Sequence, residues 1–137
     1  MKPTVILLCE ACLEANVFFS IENPAESHLF QYEPLKLLIE QSKCISIVFD
    51  QCQYGLRPPG GCKHSYTRKR TRIVSTLETL SVLNRRCTGT HEKHKHIFAW
   101  GSSSVQGKSV SNAKAAGVYP SELCNAWASA VRDSILK

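Results

Sequence analysis

The chain has 137 residues, enough for one hydrophobic core but short for two. An apolar fraction of 43% and a charged fraction of 20% are those of an ordinary globular chain, and the net charge of +6 favours anionic partners. No apolar run approaches the roughly 20 residues of a membrane span, so no membrane role is expected.

The opening MKPTVILLCEACLEA begins basic and turns apolar, but Glu10 and Glu14 interrupt it, which argues against a secretory leader. Residues 4–16 instead read as a helix with Val5, Leu8, Cys12 and Ala15 on one side and Asn16 as its stop. Residues 17–22 form a first strand, which Pro24 is expected to end. A helix follows from about Pro34, a residue suited to a first helical position. Residues 44–51, CISIVFDQ, are a second strand, apolar enough to be buried on both faces. YGLRPPGGCKHSY is loop, and residues 70–77, RTRIVSTL, are a third strand. A helix between strands one and two implies a parallel crossover. The helix-free connection between strands two and three implies antiparallel pairing. The expected fold is α/β: a small mixed sheet flanked by helices, at one edge of a three-layer domain spanning 1–137.

Beyond residue 77, LETLSVLNRR suggests a short helix and HIFAW a short strand. Residues 102–118 are small and polar and read as a mobile loop. The final helix has Pro120 near its start, Ser121 as cap, and Leu123, Trp127, Ala130 and Val131 on one face.

Three groups of residues carry chemistry. Glu22 and Asn23 stand at the carboxyl end of the first strand, where open α/β sheets bind ligands; the plainer alternative is that they cap the next turn. In YTRKRTR, strand alternation would point Arg68, Arg70 and Arg72 together and Lys69 away, making a forked reader of anions or base edges. With Lys63, Arg85 and Arg86 this region concentrates positive charge suited to nucleic acid; a solvated basic edge strand or a nuclear-import run are the alternatives. Cys87, His91, His94 and His96 fall within ten positions of one another, a composition suited to zinc. Cys62 and His64 are further candidate ligands, and an exposed histidine cluster without metal is the alternative. Cys9 and Cys12 form a Cys-x-x-Cys pair inside a helix, where core packing is the simpler role. Seven cysteines, an odd number, indicate reduced thiols and an intracellular setting, cytoplasmic or nuclear.

FFSIENP, FDQCQYG and RKRTRIV, in this order, resemble the later motifs of cytosine-5 DNA methyltransferases, and most closely a divergent set with an ENP motif found in mobile-element and viral-type proteins. The Cys87…His94…Gly101 block and Tyr119-Pro120-Ser121-Glu122-Leu123-Cys124 extend the likeness over most of the chain. The resemblance implies a partial Rossmann-like methyltransferase fold, its C-terminal half. Glu22 would then hold an extruded cytosine, Arg68 and Arg70 would hold the base carbonyl, and Tyr54-Gly55 would form the turn before them. It also implies departures. Tyr66 stands where a glutamine is expected, and neither the turn that holds S-adenosylmethionine nor the Pro-Cys nucleophile loop is found. The expectation is an incomplete methyltransferase-like domain, inactive alone, with DNA and a complementary N-terminal half as partners. A zinc-stabilised nucleic-acid-binding module is the alternative. A half-fold should also leave its first strand with an open edge and apolar surface beside it.

Overall fold

The computed structural model describes residues 1–136 and is a mixed α/β structure of small sheets flanked by helices. Helix α1 covers Thr4–Glu14, strand β1 Ser20–Pro24, helix α2 Glu33–Gln41 and strand β2 Ile45–Asp50. Strands β3 (Ser65–Thr67) and β4 (Arg70–Ser75) follow, then β5 (Lys95–Ile97), β6 (Ser102–Val105), β7 (Lys108–Ser111), α3 (Asn112–Ala116) and α4 (Ser121–Ile135).

The main sheet has the order β1-β4-β2, with β4 antiparallel to both neighbours. Strands β1 and β2 therefore run in the same direction, as the α2 crossover requires, but β4 lies between them and they do not pair. The expected antiparallel pairing of the second and third apolar strands is present. Pro24 is the last residue of β1, opposite Thr71, rather than a residue beyond it. An edge strand tolerates proline because one side of its ladder is unpaired.

Each face of this sheet carries its own core. Alternation sends Ile47, Phe49 and Ile73 to one side, where they pack with Leu80, Leu83 and Leu123 beneath α4 and the 3-10 turn Glu78–Leu83. Ile21 and Val74 face the other side and meet Ile6, Phe30, Leu35 and Leu38 beneath α1 and α2. In α1 the buried residues are Ile6 and Cys9, one position off the expected stripe, and Leu8 is exposed. The α4 face falls where the sequence put it, although Pro120, not Ser121, occupies the cap position. Val17 and Phe18, beside the open edge of β1, are more than half exposed.

The polar segment 102–118 is not loop. Gln106 and Gly107 both have positive φ (51° and 77°), which suits a two-residue hairpin turn, and they join β6 to β7. The buried Asn112 then ties this hairpin down: its amide donates to the Trp100 carbonyl (3.1 Å) and accepts from Ser103 Oγ (2.6 Å).

Candidate metal centre and the arginine cleft beside it

Strand β2 ends at Asp50, and the chain turns at once into a 3-10 segment, Gln51–Tyr54, closed by Gly55 at φ 85°. A residue with a side chain is strained in that left-handed region. Two backbone bonds bring distant segments to this corner. Asp50 N–H donates to the Arg85 carbonyl (2.9 Å) and Cys52 N–H to the Arg68 carbonyl (3.3 Å). Cys87 is thereby placed against Cys52. A three-residue parallel ladder between β3 and β5 carries His94 and His96 to the same point.

The ligand atoms of Cys52, Cys87, His94 and His96 all lie within 4.8 Å of one another. Cys87 Sγ is 3.5 Å from His94 Nε2 and 3.4 Å from His96 Nε2, and the two Nε2 atoms are 3.2 Å apart. A tetrahedral zinc with ordinary bond lengths needs about 3.6 Å between sulfur and nitrogen and about 3.3 Å between two nitrogens. These three edges match those of such a tetrahedron to within a few tenths of an ångström, and Cys52 Sγ lies within 4.8 Å of all three atoms. Four side chains converging through their metal-binding atoms, two sulfur and two nitrogen, can hold a metal such as zinc.

Surrounding groups suit this role. The hydroxyl of Thr90 lies 3.3 Å from His96 Nδ1 and orients that ring, as partners of metal-bound histidines commonly do. Gly89 N–H donates to Cys87 Sγ (3.4 Å). Burial, then neighbouring His96 and His91, push His94 below the usual imidazole range; burial and Arg68 do the same to His96. Both shifts favour the neutral imidazole, the form that binds a cation. Burial and the adjacent Cys87 push the Cys52 thiol up to about 12, so a metal must displace its proton.

Three of the four residues expected to bind metal are in the cluster. The fourth, His91, is not: it stacks on His94 and its ring accepts the Lys93 N–H. Cys52 takes its place, and Cys62 and His64 lie outside the group. The available signal for Cys52 was a cysteine placed directly after a buried strand.

Asp50 links this centre to the arginines. Its carboxylate is fully buried and accepts the Cys87 N–H (2.8 Å), Arg70 Nε (3.0 Å) and Arg86 Nε (3.3 Å), with Arg68 Nε at 3.5 Å. Burial opposes its ionisation, but these donors outweigh burial and hold its carboxyl below the usual range. Three guanidiniums around one carboxylate leave a surplus of two positive charges. A centre of two thiolates and a divalent metal is neutral and does not cancel them.

Lys69, between β3 and β4, has φ 36°, a left-handed kink in the chain. Arg68 and Arg70 both turn to Asp50, whereas Lys69 points away and donates to the Ala116 carbonyl (2.7 Å), the arrangement expected of alternate positions. Arg72 lies further along, bonded to Ser46 and stacked over Phe30 at 5.1 Å. Arg85 lies over the Tyr54 ring and pairs with Glu122, and Lys63 is exposed in the loop before β3. Arg68, Lys69 and Arg70 line a cleft of about 760 Å³ that also includes Pro24, Phe98 and Trp100.

Glu22 is not part of that lining. It sits opposite Ile73, and Arg70 is three residues from Ile73, so the two side chains leave opposite faces of the sheet. The Glu22 carboxylate accepts the Tyr119 hydroxyl. Burial, and then Glu22 itself, raise the Tyr119 pKa. Asn23 caps the following turn by donating to Ser27 Oγ (2.6 Å), the plainer of its two expected roles. A second groove of about 770 Å³, between α1 and α2, shares no lining residue with this cleft. No family model, curated protein or solved structure matches the chain.

Proposed function

We propose that the chain is a zinc-stabilised nucleic-acid-binding module whose metal centre fixes a cationic cleft. The observation that carries this reading is the shared anchor: one buried carboxylate, Asp50, receives both the backbone of the ligand Cys87 and the guanidiniums of Arg68, Arg70 and Arg86. Loading the metal orders Cys87, and through Asp50 it orders the arginines that meet phosphate. The net charge of +6 supplies the long-range attraction. Zinc analysis of the purified chain together with DNA-binding titrations at several salt concentrations tests it. About one zinc per chain is expected, with an affinity that falls steeply with salt as counterions are released. Metal-free protein that binds DNA equally well refutes the coupling.

A second reading keeps the methyltransferase-like half. It is favoured by the Tyr54-Gly55 turn preceding Arg68 and Arg70 as the chain enters an antiparallel strand, with Pro24 at the carboxyl end of β1 on the same cleft. On this reading a complementary N-terminal half supplies the S-adenosylmethionine site, and Glu22 must both exchange Tyr119 for a base and move to the face of the sheet that carries Arg68 and Arg70. Methyl transfer from labelled cofactor on co-expression with such a half, abolished by Glu22→Ala, is the expected result. Transfer that survives Glu22→Ala removes Glu22 from the site.

A further inference from the structure

The segment after β5 departs from the usual treatment of large apolar side chains. Phe98 and Trp100 are each 68% exposed, yet their rings stack on one another at 4.9 Å with 21° between planes. Nothing in either core requires them there. They are held nonetheless: Asn112, buried at the start of α3, grips the Trp100 carbonyl, and Gly101 accepts the Asn112 N–H through its own carbonyl (3.0 Å). The stack forms one wall of the cleft, and Arg68, Lys69 and Arg70 form another, with the single carboxylate of Glu26 among the remaining lining. Arg68 Nε lies 3.5 Å from Asp50 Oδ1 and makes no hydrogen bond among the described residues. A flat aromatic wall next to a cationic wall matches the two halves of a nucleotide. Bases stack on aromatic rings and phosphates pair with guanidiniums. The volume lies within the range of small-molecule sites.

We infer that this cleft takes an unpaired nucleotide of a single strand, its base laid on the Phe98–Trp100 stack and its phosphate held by Arg68 and Arg70. The inference rests on the nucleic-acid reading above and narrows it. A base inside a duplex presents only its edges, because its faces are covered by neighbouring pairs, so a stacking wall selects single strands. Every base has such a face, so little sequence preference follows from stacking.

The test uses the zinc-loaded full chain and three 12-nucleotide probes: oligothymidine, the same strand carrying central abasic sites, and a duplex. An oligouridine arm separates DNA from RNA. Tryptophan emission is followed in a Trp127→Phe background, which leaves Trp100 as the sole reporter, and labelled-probe anisotropy is followed in the parent chain. Quenching of Trp100 by the single strand is expected, with at least about tenfold weaker binding of the abasic strand and the duplex. Phe98→Ala or Trp100→Ala should weaken single-strand binding about tenfold and leave the duplex unchanged. Arg68→Ala with Arg70→Ala should weaken both. Trp100 emission that stays constant at saturating single strand, or aromatic variants that bind like the parent while the arginine variant does not, overturns the inference and leaves the broader reading standing. Failure of every probe to bind sinks both.

Discussion

Removal of the metal should unfold one segment and spare the sheet. Among residues 84–101 only His94 is buried, and neither core cluster includes any of them. Apart from Cys87 and the histidines, what holds this stretch is the three-residue β3–β5 ladder, the bonds of Asp50, the pairing of Arg85 with Glu122 at one end and the bonds of Asn112 to Trp100 and Gly101 at the other. Structural zinc contributes roughly 10–16 kcal/mol in small finger peptides at neutral pH, as much as the whole stability of many domains, about 5–15 kcal/mol. With free zinc held about a thousandfold above its dissociation constant, the bound segment gains about 4 kcal/mol against opening. The Lys95 amide, which donates to the His64 carbonyl (2.8 Å), and the His94 amide, which donates to the His91 carbonyl (3.0 Å), report this directly. Their hydrogen-exchange protection should drop about a thousandfold on chelation. The amides of Phe49 and Ile73, within the β2–β4 ladder, should keep theirs. Unchanged protection at Lys95 in metal-free protein would refute the staple. Simultaneous loss at Phe49 would refute its separation from the core.

Other outcomes follow from single contacts. Tyr54 is buried and its hydroxyl donates to the Leu83 carbonyl (2.8 Å), so Tyr54→Phe strands that carbonyl and should lower stability in urea by about 1–3 kcal/mol with the slope unchanged. Asp50→Asn leaves three guanidiniums around a neutral amide and should destabilise by about 3 kcal/mol at pH 7. Because Asp50 is held below its ordinary value, its stabilisation is complete above an unfolded carboxyl pKa of about 4 and fades as pH falls through the folded value. The melting temperatures of parent and variant should therefore converge in acid, and a gap that persists there would contradict the assignment. Zinc binding to the metal-free chain should release at least the Cys52 proton, seen as a dependence of calorimetric enthalpy on the ionisation enthalpy of the buffer. A buffer-independent enthalpy at neutral pH would exclude Cys52 as a thiolate ligand.

Apolar periodicity made most of the fold legible. The runs that became β2, β4, α2 and α4 are set by burial on one or both faces, and burial is what such patterns encode. The position of β4 between β1 and β2 was hidden, because connection lengths give relative direction but not adjacency. The β6–β7 hairpin was hidden for another reason. Its strands are rich in serine, and only the Gln106-Gly107 turn marks them. In the candidate metal cluster, Cys87, His94 and His96 stood out by proximity in sequence. Cys52 is 35 residues away from Cys87, and His91 offered a nearer partner. What brings Cys52 in is backbone pairing of Asp50 with Arg85 and of Cys52 with Arg68, contacts that no local pattern announces. The shared direction of Arg68 and Arg70, by contrast, was legible in their alternate spacing, whereas their common partner, the buried Asp50, was not.

The coordination sphere itself can be read by X-ray absorption at the zinc edge of the purified chain. Two sulfur ligands at about 2.3 Å and two nitrogen ligands at about 2.0 Å are expected, falling to one sulfur in Cys52→Ser and unaltered in His91→Ala. A sphere that keeps both sulfurs without Cys52, or loses a nitrogen without His91, would contradict the centre described above.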